Sequence, residues 1–105
     1  MNTSIQTKND VSLIITSNQD KIKAFGVKKL GLFGSYVRGE QQPHSDIDFL
    51  VEFEQGKKTF KNFMRLSFLL EEIFDRRIEL VTTEALSPYI RPYVIQEVEY
   101  VAFTS

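Results

Sequence analysis

Gly34-Ser35, followed after ten further residues by Asp46-Ile47-Asp48, constrains this chain more than any other feature. The glycine and serine make a small turn whose backbone can approach a bulky anion. The two aspartates have the i, i+2 spacing that suits a divalent cation. Arg38-Gly39 lies inside the gap, and Phe49, Leu50 and Val51 continue as an apolar run. Together these offsets point to metal-assisted chemistry on a nucleoside triphosphate.

A length of 105 residues leaves room for one domain, 1–105, around one core. Nine phenylalanines supply large core side chains. The formal net charge is −1 with both signs interspersed, so a broad cationic surface for nucleic acid is not expected. The absence of cysteine excludes disulfides and thiolate metal sites, in keeping with a cytoplasmic protein. Apolar runs such as Leu13-Ile14-Ile15 are too short for a signal sequence or a membrane span. Residues 1–9 are polar and are expected to be flexible.

Helical spacing of Val11, Ile14, Ile15, Ile22 and Phe25 predicts a helix over residues 11–25, capped by Asn9 or Asp10 and stopped by Gly26. Residues 29–33 read as a strand, 35–39 as a brief helical turn, and 40–45, with Pro43, as a loop. A second strand follows over 46–54. Phe63, Leu66, Leu70, Ile73 and Phe74 keep the 3.6-residue period through a helix at 60–74. A third strand is expected at 77–82. Ser87-Pro88 signals a helix start, which Pro92 breaks and restarts. This order defines an α/β (α+β) domain, a small mixed β-sheet flanked by helices.

On a strand, Asp46 and Asp48 share one face, about 7 Å apart along the backbone. Mg²⁺ takes hard oxygen donors, commonly one or two carboxylates completed by water and phosphates. Gly34 allows close backbone approach, the next turn offers free N–H groups, and Ser35 adds a hydroxyl. Arg38, one turn on, can lay its guanidinium over the same phosphate. Glu79 supplies a third carboxylate, since in Ile78-Glu79-Leu80 it points away from its apolar neighbours. Singly, each has a plainer reading: a solvated loop pair, a turn, a surface arginine, the polar side of an edge strand. His44 reads as a solvated loop histidine.

The blocks Gly34-Ser35-Tyr36-Val37-Arg38-Gly39 and Ser45-Asp46-Ile47-Asp48-Phe49-Leu50-Val51 resemble the signature of the DNA polymerase β-like nucleotidyltransferases. The short chain and the tail from Ser87 to Val98 are similar to the minimal nucleotidyltransferase (MNT) branch. The resemblance implies a nucleotidyltransferase fold, Mg²⁺, and transfer of AMP from ATP to a hydroxyl. It implies Asp46, Asp48 and Glu79 as catalytic and metal carboxylates, with Gly34 and Ser35 holding the triphosphate. Family members commonly have aspartate where this chain has Glu79. Members of the branch pair with HEPN RNase toxins, which they silence as antitoxins by adenylylating a tyrosine.

Two other functions compete. One is an antitoxin that neutralises HEPN by contact alone. The other is a transferase acting on small alcohols such as aminoglycosides, whose known enzymes carry an added substrate domain. Tyr89, Tyr93, Tyr100 and Phe103 in the tail either pack the last helix or form a partner surface.

Overall fold

A computed structural model describes residues 7–103. Side chains on the two sides of the sheet meet a thickly covered face, the main core, and a thinly covered one. The elements are α1 (Lys8–Ser17), α2 (Gln19–Lys23), β1 (Val27–Phe33), α3 (Ser35–Arg38), β2 (Ile47–Phe53), α4 (Phe60–Phe74), β3 (Ile78–Thr82), α5 (Arg91–Glu97) and β4 (Glu99–Tyr100). A 3₁₀ turn, Thr83–Ala85, follows β3. The sheet order is β3-β2-β1-β4, with β2 and β3 parallel and the other neighbours antiparallel. The mixed sheet flanked by helices is the one the sequence predicts. Among the described residues no helix is long and apolar enough to cross a membrane.

On the first face, Leu30, Leu32, Ile47, Phe49, Val51 and Leu80 pack against Val11, Ile15, Ile22, Leu66, Leu70 and Phe74 from the helices. The Phe49 and Phe74 rings lie 5.7 Å apart in a tilted contact. Full burial of such side chains is worth about 1.5–3 kcal/mol each, so this layer holds the fold together. On the second face, among the described residues, Leu50, Leu86 and Val94 form a small buried cluster, edged by Phe33, Val81 and Val98. A layer with so few apolar contacts opens at lower cost than the main core.

Several expected boundaries move. The first helix begins at Lys8, because Thr7 caps it: its hydroxyl accepts from the Asp10 amide at 3.3 Å, and the Asp10 carboxylate accepts from the Thr7 amide at 3.0 Å. Asn9 and Asp10 are therefore not the cap. Residues 7–9 belong to the capped helix start rather than a flexible arm, while 1–6 lie outside the described residues. The single helix expected over 11–25 is two, parted at Asn18. There Ser17 donates to the Leu13 carbonyl at 2.8 Å and Asn18 to the Ile14 carbonyl at 2.8 Å. Short polar side chains that bond the preceding turn compete with the helical ladder.

The 60–74 helix and the turn after Gly34 stand where the periodicity puts them. Pro92 sits in the first turn of α5, after a turn in which Ile90 and Arg91 donate to the Ser87 carbonyl at 3.1 and 2.9 Å. That is the break and restart expected there. The sequence did not suggest β4, which pairs Tyr100 with Gly31 and Glu99 with Leu32.

Gly31 is what lets the chain after α5 lie close to the sheet. A Cβ there would stand 2.5 Å from Val98 Cγ2 and 2.9 Å from Tyr100 Cδ1. Gly31→Val is expected to lever this segment outward and cost about 1–3 kcal/mol, as overpacking generally does. Thermal unfolding measures it; an unchanged melting temperature would show that the Val98–Tyr100 segment yields freely.

Candidate active site

The site forms where the thinly covered face meets the end of β1. Asp48 is the second residue of β2 and Glu79 the second of β3, and the parallel register sets them side by side. Phe33 pairs with Asp48 across the antiparallel ladder, so the chain leaving β1 turns at Gly34 directly beside that carboxylate. Gly34 has φ 78° and ψ −150°, a conformation essentially confined to glycine. A Cβ on it would lie 2.1 Å from Asp48 Oδ2. The turn and the carboxylate are thus in van der Waals contact across the site.

A cavity of about 710 Å³ opens here. Gly34, Arg38, Asp48, Glu79 and Glu97 form its polar end; Phe33, Val81, Leu86, Ile90, Tyr93 and Val94 form an apolar wall. Of the six residues singled out in the sequence, four line this cavity. Ser35 and Asp46 do not. Ser35 opens α3, and Asp46 lies one residue before β2 instead of inside it, so strand alternation does not orient it. Asp46 is nonetheless near enough for its charge to act on Asp48.

Burial first, then the Glu79 and Asp46 carboxylates, push the Asp48 carboxyl up to about 6, with Arg38 opposing and Glu97 adding. Among the described residues, Asp46, Asp48 and Glu79 have no ion-pair partner. Nor, among the described residues, do any three His, Cys, Asp or Glu side chains stand close enough to hold one metal ion by themselves. Mg²⁺ does not need such a cage, because one or two carboxylates suffice when water and substrate phosphates complete the shell. A half-buried aspartate crowded by uncompensated carboxylates fits a hard divalent cation, whose charge removes the strain of ionising it.

Arg38 is already engaged. Its Nε donates to Glu40 at 2.9 Å and its Nη1 to Glu97 at 2.9 and 3.1 Å. The Gly34 amide also donates to Glu97 Oε2, at 2.7 Å. Sequence reasoning missed Glu97 altogether. One signal was available: Glu97 follows the buried Val94 by three residues, hence lies on the α5 face that meets the sheet. Tyr36, inside the recognised block, is buried, and its hydroxyl accepts from Arg76. His44 is exposed in the loop, as expected. Of the tail aromatics, Tyr89 and Tyr93 are exposed by 87% and 74%, so they do not pack the last helix, whereas Phe103 packs against the main core.

A glycine turn beside paired strand carboxylates, on a small mixed sheet, is the arrangement of a nucleotidyltransferase. The model of the nucleotidyltransferase domain family matches residues 11–101, and the chain belongs to that family. It is 38% identical over 96 residues to the protein adenylyltransferase MntA of Thermococcus cleftensis, covering 90% of this chain and 96% of the relative. A solved structure described as a candidate minimal nucleotidyltransferase superposes with a TM-score of 0.77 at 29% identity, covering 92% of this chain and 98% of that one. A solved complex of tri-AMPylated Shewanella oneidensis HEPN toxin with MNT antitoxin gives a TM-score of 0.61 at 19% identity, covering 89% and 73%. At that identity the likeness speaks for the fold alone.

Proposed function

We propose that this chain is a Mg²⁺-dependent protein adenylyltransferase, moving AMP from ATP to a tyrosine hydroxyl of a HEPN RNase toxin and thereby acting as its antitoxin. The observation that carries the reading is the pairing of Asp48 with Glu79 beside Gly34, in a chain 38% identical to a protein adenylyltransferase. The S. oneidensis complex pairs an MNT antitoxin with an AMPylated HEPN toxin, which motivates a HEPN protein as acceptor, while the tyrosine follows from the family resemblance.

Asp48, with Asp46 or Glu79, would hold Mg²⁺, which supplies positive charge against the triphosphate oxygens when bound. The Gly34 amide and Arg38, which line the cavity, orient the phosphates; Ser35, at the start of α3, would have to turn its hydroxyl inward to join them. The acceptor oxygen attacks the α-phosphorus, the bond from that phosphorus to the bridging β-oxygen breaks, and pyrophosphate leaves. Glu79, on the exposed side of the pair, takes the hydroxyl proton. The apolar wall of Phe33, Val81, Leu86 and Val94 suits a flat ring, either the adenine or the acceptor phenol.

Incubation with Mg²⁺, ATP and a HEPN toxin as acceptor is expected to add AMP mass to a tyrosine of that toxin. Full modification by the Asp46→Asn, Asp48→Asn double variant would refute the mechanism.

The contact-only antitoxin stays in view because Tyr89, Ile90 and Tyr93 present an exposed apolar patch next to the cavity. Toxin neutralisation that survives the double variant but fails on changing Tyr89 and Tyr93 would favour it.

A further inference from the structure

Two donors at the polar end of the cavity are occupied by the protein itself. Glu97 is the last residue of α5, and its carboxylate takes both the Gly34 amide, at 2.7 Å, and Arg38 Nη1, at 2.9 Å. Glu40 holds Arg38 separately through Nε, at 2.9 Å, so the two glutamates engage different nitrogens of the guanidinium. We propose that Glu97 is a resident surrogate for a substrate phosphate, occupying the Gly34 and Arg38 donors until a triphosphate displaces it. This rests on the nucleotidyltransferase reading.

Three features support exchange over a permanent brace. A backbone amide has one hydrogen, so Gly34 cannot serve Glu97 and a phosphate oxygen together at full strength. Asp48 and Glu79 line the same cavity, so Glu97 adds a further negative charge where a polyanion has to enter. The Glu97 side chain is 22% exposed, which leaves it a path to water, and the layer beneath α5 is the small Leu50, Leu86 and Val94 cluster edged by Phe33, Val81 and Val98. Glu97 would therefore weaken nucleotide binding in the free protein and keep Gly34 and Arg38 paired while no nucleotide is present.

Calorimetric titration of the full chain with AMP-PNP in Mg²⁺, and separately with inorganic tripolyphosphate, tests this. Glu97→Gln is expected to bind both about tenfold more tightly than the wild type, since a competing charge is gone. Glu97→Asp, still charged but one methylene short of the donors, is expected to tighten both by a smaller factor. A brace predicts the reverse, because losing it loosens Arg38. If the wild type binds and both variants bind equally or more weakly, the inference is overturned and the enzymatic reading stands. If neither the wild type nor Glu97→Gln binds either ligand, both readings fall together, whereas binding by Glu97→Gln alone supports the inference.

Discussion

Asp48→Asn is expected to lower AMP transfer at least about 100-fold while raising the melting temperature of the metal-free protein at pH 7.5. The loss of rate follows from removing a carboxylate that would hold the cation, a contribution of several kcal/mol to the barrier. The gain in stability follows from the carboxyl group pushed up to about 6, against 3.8 for an unperturbed aspartate. Well below 3.8 the group is protonated in both folded and unfolded chains and costs nothing. Between pH 4 and 6 the folded protein binds a proton that the unfolded chain has released, so stability falls as pH rises through this window. Above it the full penalty of ionising a crowded, half-buried carboxylate is present. Because Asp48 is only half-buried, solvent screening trims the penalty to about 1–2 kcal/mol. That corresponds to several degrees of melting temperature in a domain of this size. Scans at pH 4 and pH 7.5 check it: the variant should match the wild type at the lower pH and exceed it at the higher. Millimolar Mg²⁺ should raise the wild-type value and leave the variant nearly unchanged. An asparagine variant no more stable at pH 7.5 would mean that neither burial nor the neighbouring carboxylates penalise the Asp48 charge.

Gly34→Ala is expected to remove both stability and activity. The backbone there, at φ 78° and ψ −150°, is one that a residue with a Cβ rarely adopts. The added carbon would also meet Asp48 Oδ2 at 2.1 Å and Asp48 Cγ at 2.9 Å. Either the turn reshapes, losing the amide aimed at the cavity, or Asp48 swings away from Glu79. Backbone strain and overpacking together cost about 2–4 kcal/mol, readable by urea denaturation. Displacing a reacting group by an ångström is worth about 100-fold in rate, so transfer should fall at least that far even in the folded fraction. An alanine variant keeping more than about half the wild-type rate would show that the contact between turn and carboxylate is incidental.

Local features were the ones readable in advance. Residues 60–74 form one helix because their apolar period is unbroken and Thr59 caps them, its hydroxyl accepting from Asn62 at 3.1 Å. The turn after Gly34 needed only a glycine and a short helical run. Glu79 was legible through strand alternation, which holds within β3 whatever lies next to it. Alternation served less well at Asp46, because the strand starts one residue later. The first helix was misread at Asn18, where side-chain bonds to the preceding turn outweighed a continuous apolar stripe.

The amino-acid order by itself determined the turn at Gly34, the spacing of the aspartates and the periods of the main helices, all properties of residues near one another in the chain. Tertiary structure alone decided that Glu79 lies beside Asp48, that β4 closes against Gly31 and that Glu97 reaches the Gly34 amide from 63 residues away. Those depend on register between strands and on how α5 settles over the sheet. Burial first, and then the Glu79 carboxylate brought alongside, raise the Asp48 carboxyl, and of its causes only the neighbouring Asp46 charge is visible in the local sequence.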